Sequence, residues 1–274
     1  MFSIYSTAFN VVKNNFDYEE AIDNFCSFAE EVVISVNQSE DNTYEELSRL
    51  RDEKYSNLKL IPATVSYEDP RIDGKLFELA LQSTTQEFKI ILGLDHRIPL
   101  YQKASWEKLA YDMRFAQFDA YMIPVLDLWG DENKVRWDEE NNIQMMWFLH
   151  KGGLHRGVVN FAKLDNGKFD PSKSDSNELI YEDGELVNFN YFLQGHHTSL
   201  EAYLQSLKEQ NVFVFHTGYV NFDNRIKVNK DIWQKQWEEI RPPEKRENQV
   251  ALNKDQLEKH KTYEHNLKLW NQKN

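Results

Sequence analysis

A regular alternation over the first 130 residues restricts this chain to few architectures. Apolar or β-branched runs at Ser3–Thr7, Glu31–Val36, Leu58–Ala63, Phe88–Leu94 and Ala120–Leu126 read as strands. The segments between them have helical spacing. Asp17-Tyr18-Glu19-Glu20 has the pattern of a capping box and predicts a helix through about Ala29; Thr43-Tyr44-Glu45-Glu46 is a second and predicts one to about Lys54. Asp73–Thr84 is helical by Leu76, Leu79 and Ala80, and Ser105–Phe115 follows. Strands with interposed helices predict an α/β fold, a mostly parallel, Rossmann-like sheet with helices on both faces.

The Phe88–Leu94 run ends in Asp95, and the polar turn Asp95-His96-Arg97 follows at once. A buried strand that ends this way delivers a carboxylate to the open edge of the sheet, where ligands of α/β proteins bind. A carboxylate there can hold a divalent cation, and the cation a diphosphate. A strand-ending Asp that only starts a turn reads the same way. Three further loops reach that edge: Ala8-Phe9-Asn10, Asn37–Thr43 and Ser66–Gly74. The second feeds a helix N-terminus, which favours acceptors and anions. One of Ser39, Asp41 and Thr43 is needed as a cap, which leaves the others for a ribose or base.

Hydrophobic residues make up 41% of 274, enough for one large α/β domain or two small ones. The net charge is −13, and the last fifty residues hold 12 Lys/Arg against 8 Asp/Glu, so the first 224 carry about −17. So acidic a surface excludes non-specific nucleic-acid binding, and a phosphorylated ligand needs a local cation or basic cluster. Cys26 is the only cysteine and reads as a small core hydrophobe; with no disulfide within the chain, a reducing cytoplasm is expected. The start, Met1–Thr7, lacks the basic and apolar regions of a signal peptide, and no run approaches a membrane span.

Residues 127–195 change character, with turns at Gly152-Gly153, Asp165-Asn166-Gly167 and Glu182-Asp183-Gly184 around short apolar runs such as Met145–Leu149. They predict irregular β structure and loops laid over the ligand edge. A helix at Leu200–Leu207, a strand at Val212–Phe215 and a helix at Lys230–Glu239 follow, and Arg241-Pro242-Pro243 stops the last. The charged remainder from Glu244 is expected to be helical. Trp233, Trp237, Tyr263 and Trp270, among the Lys and Arg of the C-terminal segment, suit packing on its own domain, a homodimer arm, or peripheral contact with the inner membrane surface.

In order and spacing, Thr7-Ala8-Phe9-Asn10, Val36–Thr43, Gly74-Lys75 leading to Ala80-Leu81-Gln82, and Leu92-Gly93-Leu94-Asp95 resemble the GT-A glycosyltransferases, especially the family-2-like group. The likeness covers roughly residues 2–130. It implies transfer of a sugar from a UDP- or GDP-type nucleoside-diphosphate donor to a glycan or other hydroxyl acceptor, assisted by Mn²⁺ or Mg²⁺. It divides the chain into a donor-binding half (1–130), an acceptor-side half (131–243) and a C-terminal helical extension (244–274). It sets Thr7, Asn10, Asn37, Asp41 and Gln82 around the nucleoside, Lys75 on the donor, and Asp95 on the metal. There are two departures. Asn37 stands where the family usually has Asp, and Gly93 replaces the first Asp of the Asp-X-Asp element.

Family members often recruit a late histidine to the metal, and His216, which ends a strand shortly before Gly218, fits that role; a histidine satisfied by nearby backbone is the equal alternative. His96 could add a ligand or phosphate contact. An imidazole favours Mn²⁺ over Mg²⁺. Arg225 and Lys227 lie just beyond and could neutralise a leaving diphosphate. On the acceptor side stand Trp147, His150, His155 and Arg156. A base for the acceptor proton is sought at Asp175, then Glu178, then Asp127. An ordinary capping turn accounts equally for Asp175, and a core position for Trp147. The adjacent pair His196-His197 diverges in any regular structure and is assigned no site. Two rivals stay open. A sugar-phosphate nucleotidyltransferase would need a glycine-rich first loop, and Ala8–Lys13 has no glycine. A degenerate sugar- or nucleotide-binding module is kept alive by Gly93.

Overall fold

The structure, a computed structural model, describes residues 1–66, 69, 72–136, 144–151, 158–160, 163–165, 168–170, 179–181, 188–192, 200–230, 253–259 and 262–264. The expected platform is present. Strands β1 (Phe2–Ala8), β2 (Glu31–Asn37), β3 (Leu58–Ala63) and β4 (Phe88–Ile91) form a parallel sheet in the order β4-β1-β2-β3. Helices α1 (Tyr18–Phe28), α2 (Thr43–Glu53) and α3 (Ile72–Gln82) are the connections.

Successive side chains of a strand point to opposite faces. Phe2 packs on Phe28 of α1, and Phe28 in turn on Trp106 of α4 (Lys103–Met113). Tyr5, of opposite parity, meets Phe77 of α3 edge-on. Both faces are therefore covered, and β1, β2 and β4 are almost wholly buried, as runs such as Val32-Val33-Ile34 require, whereas the edge strand β3 exposes Lys59 and Pro62. In α1, Ala21, Ile22, Phe25 and Phe28 line the buried stripe, and in α2, Thr43, Leu47 and Leu50 do so. Neither helix makes the capping bond its sequence suggests: the N-cap positions are Asp17 and Asn42, without side-chain cap bonds. Instead the Thr43 hydroxyl accepts from the Val11 backbone N–H at 2.9 Å, tying the first loop to the second.

The rest of the sheet departs from a simple parallel order. β4 is followed by the two-residue β5 (His96–Arg97), then α4, β6 (Ala120–Trp129) and β7 (Lys134–Arg136). β6 does not pair with β4. β8 (Gln144–Lys151) lies between them, antiparallel to both. The apolar run Met145–Leu149 is thus a strand of the platform itself, not a covering loop. Two small antiparallel pairs join β9 (Val158–Asn160) to β12 (Leu179–Tyr181) and β10 (Lys163–Asp165) to β11 (Lys168–Asp170). β13 (Phe189–Tyr191) runs parallel to the start of β6. After α5 (Leu200–Gln210), β14 (Val214–Tyr219) lies between β6 and β5, parallel to the first and antiparallel to the second. α6 (Phe222–Val228) and the short α7 (Lys254–Glu258) follow.

The expected C-terminal helical extension is partly strand. β15 (Thr262–Glu264) pairs with β7, and the Trp129 indole donates to the Leu257 carbonyl at 2.8 Å. These segments pack on their own domain. The helix expected at Lys230–Glu239 lies outside the described residues apart from Lys230. No helix among the described residues is long and apolar enough to cross a membrane.

Candidate active site

Strand β14 aligns three residues by register alone. His216 is the direct partner of His96 on β5 and of Asp127 on β6. Side chains opposite one another on neighbouring strands lie about 5 Å apart on one face, and the Asp95 carboxylate enters between the two histidines. His96 Nδ1 lies 2.8 Å from Asp95 Oδ1 and His216 Nε2 3.1 Å from Asp95 Oδ2. The His216 Nδ1 lies 2.7 Å from Asp127 Oδ1. The two imidazoles stack at 4.8 Å and 17°. Thr217 holds the Asp95 carbonyl through its backbone N–H (2.7 Å) and its hydroxyl (3.0 Å). Arg225, from α6, brings Nη1 to 3.9 Å from Asp95 and stacks its guanidinium over Tyr219.

Two glycines make room for this cluster. A Cβ on Gly93 would lie 2.6 Å from Asp95 Oδ1 and 3.1 Å from His96 Nδ1. One on Gly218 would lie 2.6 Å from His216 Nε2 and 3.1 Å from Asp95 Oδ2. The space that a carboxylate at position 93 would need is already taken by Asp95 and His96.

Burial alone would raise the Asp95 pKa, but the adjoining His96 and His216 override it and hold the carboxyl well below its ordinary range. For His216 burial acts downward; Asp95 and the hydrogen bond to Asp127 outweigh it and bring the imidazole up to about 9. For His96 burial prevails over the pull of Asp95, and its pKa falls. At neutral pH the cluster thus holds a charged His216 and a neutral His96 around Asp95. One carboxylate and two imidazoles, with ligand atoms all within 4.8 Å of one another, form a mixed O/N donor set. Such a set fits a first-row divalent transition ion, Mn²⁺ included, better than Mg²⁺.

No protein-family model and no curated protein matches the chain. Solved structures do. Staphylococcus aureus TarS 1-349 in complex with UDP is 23% identical, with 46% of this chain and 36% of that one covered and a TM-score of 0.37. TarS 1-349 in complex with UDP-GlcNAc is 14% identical over 89% of this chain and 77% of that one, with a TM-score of 0.43. A mannosyltransferase from Pyrobaculum calidifontis, in complex with GDP-Man and Mn²⁺, is 19% identical over 44% and 34%, with a TM-score of 0.37. The chain thus spans only about a third of the first of these. Likenesses this distant decide neither ligand nor activity, so the functional assignment rests on side-chain geometry.

The other residues singled out by the sequence are placed as follows. Thr7 is the last residue but one of β1, Asn37 ends β2, and Asn10 and Asp41 occupy the following loops. Asn10 has a left-handed backbone (φ 49°), and its Oδ1 accepts from the Glu40 N–H at 2.8 Å. Asn37 is buried and uses its amide on Val65, donating to the carbonyl (3.0 Å) and accepting from the N–H (2.8 Å). Asp41 accepts from the Thr43 N–H (3.0 Å) and hydroxyl (2.6 Å) and from the Lys13 N–H (2.7 Å). Lys75 pairs with Asp69, and exposed Gln82 donates to Glu78 at 3.0 Å. Lys227 is exposed on α6. Asp127, sought as a base, is buried against His216 instead.

The acceptor-side assignment meets a topological obstacle. His150 pairs with Lys89 and Ala120, at the starts of β4 and β6, whereas Asp127 lies near the other end of β6 and Asp95 follows the other end of β4. Seven residues of strand separate Ala120 from Asp127, about 23 Å at 3.3 Å per residue. β8 therefore carries His150 to the edge away from the cluster, and Trp147, opposite Ile123, lies part-way. His155, Arg156, Asp175 and Glu178 lie outside the described residues. What sequence reasoning missed is the link from Asp127 to His216, which only strand pairing reveals. At the cluster's flank opens a cleft of about 1290 Å³, bordered by Asp95, Arg97, Thr217 and Arg225 and, from the α1 side, by Asp17 and Glu20.

Proposed function

We propose that this chain is a glycosyltransferase that moves a sugar, of hexosyl type, from a UDP- or GDP-type nucleoside-diphosphate donor to a hydroxyl acceptor. The observation that carries this reading is the convergence of Asp95, His96, His216 and Arg225 at the edge of a parallel sheet where ligands of such folds bind. In this reading Asp95, His96 and His216 hold a divalent cation, preferably Mn²⁺. When bound, that cation supplies Lewis-acid stabilisation of the departing diphosphate. Arg225 adds a fixed positive charge beside Asp95. The polar loops after β1 and β2 flank the nucleoside; since Asn10, Asn37 and Asp41 bond the loops themselves, their role there is to hold backbone groups in place for the base and ribose. The cleft is large enough for donor sugar and acceptor together. Asp175 and Glu178 remain the proposed acceptor bases, because Asp127 is committed to His216. A lone thiol, Cys26, suits a reducing, cytoplasmic setting.

The rival of a degenerate binding module drew on Gly93. The crowding at that position gives glycine a steric reason, with His96 standing in for the absent carboxylate. A thermal-shift panel of nucleoside diphosphates, with and without Mn²⁺, tests the reading. Stabilisation by UDP or GDP that requires Mn²⁺, together with slow donor hydrolysis lost in Asp95→Ala, is expected. Hydrolysis that persists in Asp95→Ala, or stabilisation indifferent to metal, would refute it.

A further inference from the structure

Asp127 lies directly behind His216, and its position is more informative than its charge. It is 6% exposed, on the strand next to β14, with Oδ1 2.7 Å from His216 Nδ1. The opposite ring nitrogen, Nε2, lies 3.1 Å from Asp95 Oδ2. The ring has little freedom to exchange the two. His96 stacks on one side at 4.8 Å, Tyr219 meets it edge-on at 5.4 Å and 89°, and Gly218 lies so close that a Cβ there would fall 2.6 Å from Nε2.

We infer that Asp127 is the positioning residue of the cation site: its carboxylate accepts the Nδ1–H of His216 and fixes the ring so that Nε2, which donates to Asp95 in the ion-free site, is the nitrogen that gives up its proton and offers its lone pair to the ion. The inference rests on the cation-site reading above and deepens it. A histidine ligand whose second nitrogen donates to a carboxylate is held in orientation and becomes a more basic donor. The hydrogen bond to an ionised acceptor is also among the stronger kinds. Asp127 is thus assigned no direct contact with substrate or ion. Its register on β6 sets it on the same face as His216, and its Oδ1 is engaged by that ring.

The test titrates the full chain with Co²⁺, read by visible absorption, in the absence of any donor. Wild type, Asp127→Ala and Asp127→Asn are compared, with melting temperatures recorded for each. Asp127→Ala is expected to bind Co²⁺ about 10–100-fold more weakly, with Asp127→Asn in between because its amide oxygen can still accept the Nδ1–H. Long-range ¹H–¹⁵N spectra of the Zn²⁺-loaded wild type are expected to show His216 protonated at Nδ1. Equal Co²⁺ affinity in all three proteins, or coordination through Nδ1, overturns the inference. Should Asp127→Ala not fold, Asp127→Asn carries the test: binding about threefold weaker or more at an unchanged melting temperature is expected, and wild-type affinity overturns the inference. A wild type that takes up neither Co²⁺ nor Mn²⁺ removes the cation site itself, whereas uptake unaffected by both substitutions removes only the role of Asp127.

Discussion

Two low-pKa carboxylates, Glu31 and Asp95, stand at opposite edges of the same sheet. Glu31 opens β2 and is 4% exposed. Its oxygens accept from the Ser3 hydroxyl, from the Thr85 N–H (2.7 Å) and hydroxyl (2.9 Å), and pair with Lys59. Burial would raise its pKa, but Lys59, Ser3 and Thr85 bring it down to about 2. Asp95 is also depressed, by His96 and His216. The partners of Glu31 are mostly fixed backbone and hydroxyl donors, and no bound ion could replace them. The partners of Asp95 are themselves metal-ligating groups, which can turn from one another to a shared cation. One carboxylate ties the fold together; the other stands among groups that could share a cation.

Substitution should separate them. Asp95→Ala is expected to lower kcat/KM for transfer or donor hydrolysis about 10³-fold, about 4 kcal/mol of transition-state stabilisation, while the protein stays folded. Steady-state kinetics beside circular dichroism checks this; loss of fold with residual activity per folded molecule would reverse the contrast. Glu31→Ala should do the opposite, losing about 3 kcal/mol of stability in urea unfolding with unchanged activity per folded molecule.

Acid provides an independent handle on Glu31. Its folded pKa of about 2 lies below the ordinary 4.5, so its contribution is complete above pH 4.5 and disappears as pH falls from there towards 2. The contribution is at most about 3 kcal/mol. Glu31→Gln should flatten the stability profile in that window, and a profile as steep as wild type would show that other carboxylates carry it.

Smaller effects sharpen the same contrast. Gly93→Asp restores the Asp-X-Asp spelling but inserts a side chain where a Cβ already meets Asp95 Oδ1 at 2.6 Å. Weaker Mn²⁺ binding and a loss of about 1–3 kcal/mol are expected; tighter binding would mean that the cluster can open to admit a second carboxylate. Asn37→Asp likewise restores a family residue. It removes the donor to the Val65 carbonyl and should cost about 1–2 kcal/mol in urea unfolding.

Local pattern was enough to read the platform. β2 and β3 fall where β-branched and apolar runs put them, and Asp95 follows β4 at the edge as expected. His216 was recognisable as a histidine near a glycine on a late strand, although β14 runs on past it to Tyr219 instead of ending there. Information carried only by long-range pairing was not legible. Met145–Leu149 looks the same whether it covers a sheet or enters one, and its antiparallel direction sends His150 to the far edge. Asp127 lies 89 residues from His216 in sequence, and nothing local marks them as register partners. The polar loops after β1 and β2 misled in another way: their side chains suggested ligand contacts, yet Asn37 and Asp41 are engaged by nearby backbone.

Anomalous diffraction at the manganese edge, from crystals grown with Mn²⁺ and UDP or GDP, bears most directly on the cluster's role. A single peak within bonding distance of Asp95, His96 and His216, with the diphosphate on its open side, is the expected result. No peak there, or a nucleotide bound elsewhere with Asp95 still locked between its two histidines, would contradict it.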